Sequence, residues 1–194
     1  GLTARRSDAL LLPNAVDYDY LQRQLQEVRA VPEEIARFVH QRRRIIGYYG
    51  ALAKWLDYTL LAETARLRSD YQFVLIGLDY DAAFQRSHIR DLPNVTWLGA
   101  RPYQALPAYL KYFDVALIPF KVNAVTQAVS PIKMYEYLAA GKPVVATPVR
   151  ECLDVPGVLL ASGPLAFAAR LDEALEQAAA PEFQAQVQRF AQEN

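Results

Sequence analysis

The stretch best equipped for chemistry is Ser130-Pro131-Ile132-Lys133-Met134-Tyr135-Glu136-Tyr137-Leu138-Ala139-Ala140-Gly141-Lys142-Pro143. Ser130 suits an N-cap and Pro131 the first helical position, and Gly141 followed by Pro143 stops the helix, so a helix is expected over 131–140. The first N–H groups of a helix have no partner inside it and lie at the positive end of its dipole, where a phosphate is readily held. Ser130, Pro131 and Ile132 would frame that end, and Lys133 adds a full positive charge there. Glu136 follows about 7.5 Å along the axis, at 1.5 Å per residue from Pro131, with its side chain leaning back toward the N-terminus. A carboxylate so placed can reach the hydroxyls of a ribose whose diphosphate sits at the helix start. A lone helical Glu is more often solvated face than ligand, so the case rests on the combination.

Such a helix acts only if a scaffold presents its N-terminus at a ligand edge. From residue 45 onward, the short apolar runs Ile45–Tyr49, Gln72–Gly77, Asn94–Leu98, Asp114–Pro119, Pro143–Ala146 and Gly157–Leu160 read as buried parallel strands. Helical patterns at Asp57–Arg68, Tyr103–Lys111, Pro131–Ala140 and Leu165–Ala178 separate them, with Leu60, Leu61, Thr64 and Leu67 expected as the apolar stripe of the first. The alternation predicts an α/β fold, a Rossmann-like doubly wound parallel sheet of about six strands with right-handed crossovers. Ligands of such sheets sit beyond the carboxyl ends of the strands, which is where the 130–136 segment would lie.

Residues 1–44 stand apart from the repeat. Ala9–Leu12 with Pro13-Asn14 looks like a strand ending in a turn and Tyr18–Val28 like a helix, whereas Pro32–Arg44 is polar and basic. The expected division is 1–44 as the end of a preceding domain plus linker, and 45–194 as a ligand-binding domain. The Gly1 start and the abrupt Glu193-Asn194 end are expected of a piece cut from a longer polypeptide. The tail from Pro181 is a helix candidate with Phe183, Val187 and Phe190 or Ala191 on one stripe.

Composition narrows the classes. Of 194 residues, 53% are hydrophobic and 22% charged, and Lys+Arg 21 balances Asp+Glu 21, a soluble globular profile with no net field to attract a polyanion. Arg42-Arg43-Arg44 reads as a solvated linker face. Two His and one Cys give no metal-site spacing, and Cys152 cannot form an internal disulfide, which fits a reducing, cytoplasmic setting. No run has the length of a membrane span, and the first residues lack the apolar core of a signal peptide.

The Pro131–Val145 stretch resembles the donor-binding signature of the family-four retaining glycosyltransferases of GT-B fold (glycosyltransferase group 1). Supporting segments occur in order: Pro13-Asn14-Ala15-Val16-Asp17, Gly47-Tyr48-Tyr49-Gly50, Leu75-Ile76-Gly77, Asn94-Val95 with Leu98-Gly99, and Phe113-Asp114-Val115 with Leu117-Ile118-Pro119-Phe120. The resemblance implies a donor-binding domain that moves a sugar from a UDP- or GDP-linked donor to a polysaccharide or glycoconjugate acceptor. It implies no cofactor beyond the donor substrate, no metal, and an acceptor domain supplied by residues outside this chain, with the full-length enzyme peripheral at a membrane. It assigns the ribose to Glu136, the diphosphate to Gly50 and Ala51 with Lys133 and Lys54 as the cations that meet the leaving group, and the base to the loop containing Arg101. The family's first motif Glu would stand at 128, where this chain has Ala128.

A nicotinamide-binding Rossmann domain would need Gly-x-Gly-x-x-Gly and an acidic end to the second strand, where this chain has Gly47-x-x-Gly50 and Gly77. Gly141-Lys142 is not a phosphate loop, since it ends a helix and Pro143 follows. A receiver would need an Asp after the third strand and a Lys after the fifth, where this chain has Gly99 and Thr147; a sugar-nucleotide epimerase or hydrolase of the same fold, and a non-enzymatic flavodoxin-like binding module, are the alternatives left beside a glycosyltransferase.

Overall fold

A computed structural model describes residues 15–28 and 30–193. The expected strand Ala9–Leu12 and the turn Pro13-Asn14 lie outside them. In chain order the elements are α1 (Tyr18–Glu27), α2 (Glu33–His40), β1 (Ile45–Tyr49), α3 (Tyr58–Leu67), β2 (Gln72–Ile76), β3 (Val95–Trp97), α4 (Leu106–Leu110), β4 (Val115–Ile118), α5 (Ile132–Ala139), β5 (Val144–Ala146), β6 (Val158–Leu160), α6 (Pro164–Ala178) and α7 (Pro181–Glu193).

The six strands form one sheet in the order β3-β2-β1-β4-β5-β6, and every neighbouring pair is parallel. Strands β1, β2, β4 and β5 are buried at every residue, because helices cover both faces of a parallel sheet and leave no polar side. Helices α3 and α6 pack together, with α6 along β4, β5 and β6, while α1 packs on α4 and α5, and α7 on α5. The strand order reverses between β1 and β4. That reversal opens a crevice at their carboxyl ends, the usual ligand position in such sheets.

Three details differ from the sequence reading. The polar stretch after Pro32 contains a helix, α2, whose Ile35 and Phe38 are buried one turn apart. Its apolar residues Ile35, Ala36, Phe38 and Val39 span only eight positions among charged neighbours, a window too short for helical periodicity to stand out, although Glu33 and Glu34 in the first turn suit the positive helix end. In α3 the buried side is Tyr58, Leu60, Leu61, Ala62, Thr64 and Ala65, and Leu67 faces solvent. Small Ala62 and Ala65 allow close packing on the sheet and rotate the covered face away from Leu67. At α5 the N-cap is Pro131 instead of Ser130, and no side chain caps the helix.

Candidate functional site

Three chain segments converge at the switch point. After β1 the chain turns at Gly50, whose N–H donates to the Ile76 carbonyl of β2 (2.8 Å). The residues from 51 to 56 then run beside the exit of β4: Asp57 N–H donates to Pro119 O, Lys121 N–H donates to Trp55 O (both 2.8 Å), and Leu56 pairs with Phe120. Asp57 caps α3 by accepting from Leu60 N–H at 2.9 Å. The third segment is the start of α5.

Glycine is required where these segments touch. Gly50 has φ +139°, and a Cβ there would lie 2.0 Å from Lys133 Cε. Gly77, at the end of β2 with φ +152°, would put a Cβ 1.8 Å from the Gly50 carbonyl oxygen. The two glycines thus let the turn after β1 close against both β2 and the Lys133 side chain. Lys133 is held in the crevice, and burial pulls its pKa below the ordinary lysine value, partly offset by the charge of Glu136. Pro131 offers no capping side chain, so the first N–H groups of α5 are left without a side-chain cap beside Lys133.

The next turn of α5 is locked from below. Tyr137 O–H accepts from Tyr49 N–H (3.0 Å), and the two rings meet edge to face at 4.8 Å. On the outer side of α5, Tyr135 stacks on Phe190 of α7. Between these anchors Glu136 is only 6% exposed. Tyr49 O–H donates to Oε2 at 2.9 Å and Tyr103 O–H to Oε1 at 2.8 Å. Burial raises the pKa of both phenols, and the neighbouring Glu136 raises it further, so they remain donors. A buried carboxylate with two neutral donors is not a solvated helix face. Each oxygen keeps acceptor capacity for a second hydroxyl, and Tyr103, 52% exposed, forms the outer edge of the site.

Beside Lys133 opens a cavity of about 530 Å³, lined by Tyr48, Ala51, Trp55, Phe120, the 125–126 turn and the 129–133 segment. It brings together five expected site residues: Ala51, Ser130, Pro131, Ile132 and Lys133. Gly50 adjoins it through Lys133, and Glu136 lies one turn further along α5. Two expected residues are elsewhere. Lys54 is exposed and outside the cavity wall, with its backbone N–H on Asp81. Arg101 is turned toward α2, where it pairs with Glu34 at 2.8 Å, donates to Tyr109 O–H at 3.1 Å, and binds the Leu98 and Ala100 carbonyls. Those bonds hold the loop after β3 in shape. The sequence reading assigned no role to Tyr49 and Tyr103, whose only signal was their position just after or beside strand ends.

Comparison with known proteins bears on the family and the fold. Residues 43–177 match the family model described as glycosyl transferases group 1. Over 151 residues the chain is 34% identical to TuaH of Bacillus subtilis (strain 168), named for a glycosyltransferase role in teichuronic acid biosynthesis, covering 75% of this chain and 36% of that protein. The fold resembles that of Anabaena Alr3699/HepE, solved with UDP and glucose, at a TM-score of 0.64 and 17% identity over 87% of this chain and 50% of the other. It also resembles WaaG, a glycosyltransferase involved in lipopolysaccharide biosynthesis, at a TM-score of 0.63 and 16% identity over 96% of this chain and 52% of the other. The chain therefore spans about a third of that curated relative and about half of these solved structures. With the family model matched across most of its length and a curated relative 34% identical over 75% of it, this chain of six-stranded Rossmann-like fold belongs to the glycosyl transferases group 1 family.

Proposed function

We propose that this chain is the donor-binding part of a retaining glycosyltransferase of GT-B fold, which takes a sugar from a UDP- or GDP-linked donor and passes it to a polysaccharide or glycoconjugate acceptor. The observation that carries the reading is the run of α5: uncapped N–H groups, then Lys133 against Gly50, then Glu136 buried with its carboxylate addressed by two phenols. The diphosphate lies over the turn at Gly50 and Ala51, facing the start of α5, and the ribose hydroxyls meet Glu136. The base lies toward the loop after β3. As the sugar departs, negative charge grows on the diphosphate, and preorganised N–H groups and an ammonium stabilise it more than they stabilise the bound donor. Lys133 is suited to that task because burial in the crevice disfavours its charge, which Glu136 offsets only in part and a phosphate would favour further.

On this reading residues 45–194 form the nucleotide-sugar domain, and 1–44 are the end of a preceding acceptor domain and the linker from it. The enzyme works in the cytoplasm, peripheral at the membrane where surface glycoconjugates are built; no helix among the described residues is long and apolar enough to cross a membrane. UDP in the solved HepE complex supports a nucleoside diphosphate as ligand. The test is calorimetric titration of the chain with UDP, GDP and ADP. Binding of one of them, weakened in Glu136→Gln, is the expected result, and failure of all three to bind would sink the reading.

A further inference from the structure

The cavity beside Lys133 has walls that narrow what the donor carries, granted the nucleotide-sugar reading, on which this inference rests. With the diphosphate at Gly50 and Lys133, the group to be transferred falls in that cavity, whose volume suits a hexose with a substituent. Its walls include Trp55, Phe120, Val125, Val129, Pro131 and Ile132, and among the described residues lining it Lys133 alone carries a charge. The polar side chains of the adjoining loop serve the loop itself. Thr126 O–H donates to the Lys121 carbonyl and accepts from Asn123 N–H. The Asn123 side-chain oxygen accepts from Val125 N–H (3.0 Å) and Thr126 N–H (3.1 Å). The Gln127 amide is held between Pro148 O (3.1 Å) and Arg150 N–H (2.8 Å). Tyr48 O–H donates to Ala51 O at 3.1 Å, and Ser130 engages Tyr135. With polar groups so occupied, the loop turns Val125 and Val129 to the cavity, both well exposed in the empty site.

A sugar hydroxyl pressed against such a wall gives up water and gains no partner, whereas a methyl group gains by leaving water. We propose that the transferred sugar carries a methyl-bearing substituent, an acetamido group or the methyl of a deoxy sugar, seated among Trp55, Phe120, Val125 and Val129. Calorimetry of the chain with UDP, UDP-glucose and UDP-N-acetylglucosamine, and with GDP, GDP-mannose and GDP-fucose, tests it. Within the nucleotide set that binds, the methyl-bearing donor is expected to bind about tenfold tighter than the hydroxyl-only one. The double variant Val125→Thr/Val129→Thr keeps side-chain size and adds hydroxyls, and is expected to narrow that ratio to about twofold while leaving the affinity for the bare nucleotide unchanged. If the variant does not fold, by its melting curve, the wild-type ratio decides alone. Nucleotide binding with equal affinity for the two donors, or with the preference reversed, overturns this inference and leaves the nucleotide-sugar reading standing. Absence of binding by every nucleotide overturns both.

Discussion

At the scale of single residues, the proposed function divides the nucleotide between Glu136 and Lys133, so their variants should separate. Glu136→Gln removes the charged acceptor of the ribose hydroxyls while its amide oxygen still accepts from one phenol. It should weaken UDP or GDP and the matching nucleoside alike, by about 1.5–3 kcal/mol, the range for hydrogen bonds to a charged group; calorimetry reads both, and unchanged affinity would return Glu136 to a purely structural role. Lys133→Ala should instead weaken the diphosphate more than the nucleoside, and the difference should shrink as salt rises, since a partly open charge pair is screened over about 8 Å at physiological ionic strength. The burial that lowers the pKa of Lys133 also means that its charge costs the empty protein stability. The melting temperature of Lys133→Ala should therefore hold or rise; a fall of several degrees with an intact diphosphate-to-nucleoside ratio would mark Lys133 as a packing residue.

At the scale of elements, the site depends on how closely the turn after β1 approaches β2 and α5. Gly77→Ala drives a Cβ into the Gly50 backbone, which cannot step aside as a side chain can, and holds alanine at φ +152°. Backbone strain of that kind costs about 1–3 kcal/mol, and the clash adds to it. Gly50→Ala meets the flexible Lys133 side chain instead, so the expected contrast is a large loss of stability for Gly77→Ala and a smaller one for Gly50→Ala, whose main defect is in diphosphate binding. Denaturant melts with a parallel UDP titration distinguish them. Just beyond α5, Lys142 donates from Nζ to Lys111 O at 2.8 Å, and burial pulls its pKa down from the ordinary 10.5 to about 8. Between those values the unfolded chain holds a proton that the native chain does not, so stability rises with pH across that window and the penalty is fully present below it. Lys142→Met should flatten that slope in denaturant melts from pH 8 to 10.5; an identical slope in the variant would assign the pH dependence to other groups.

At the scale of the whole molecule, the curated relative and the solved structures are two to three times longer than the part this chain matches, and on the proposed reading the acceptor is met by residues outside it. The chain by itself is therefore expected to bind a nucleoside diphosphate and to transfer no sugar, because proximity and orientation of the acceptor contribute a large share of the barrier reduction. Product assays with the donor that binds and simple sugar acceptors check this, and robust transfer would contradict the division of labour. The ion pair between Glu34 of α2 and Arg101 ties the segment before β1 to the loop after β3.

The sequence by itself determined the sheet, since each strand is a short apolar run buried on both faces and bounded by Gly, Pro or a helix pattern, features that depend only on local residue types. It also determined the helical spacing that sets Lys133 and Glu136 on successive turns of α5. What it left open was set by contacts between distant segments. Arg101 sits in a ligand-edge loop by position, yet Glu34, sixty-seven residues earlier, draws it away. Tyr49 and Tyr103, from β1 and the loop after β3, meet on Glu136 only once the sheet is folded. The helix α2 is short, lies in a charged stretch and has no capping side chain, and it packs Ile35 and Phe38 into the core. Periodicity records which face a segment buries, while the partner that face or charge finds is fixed by tertiary packing alone.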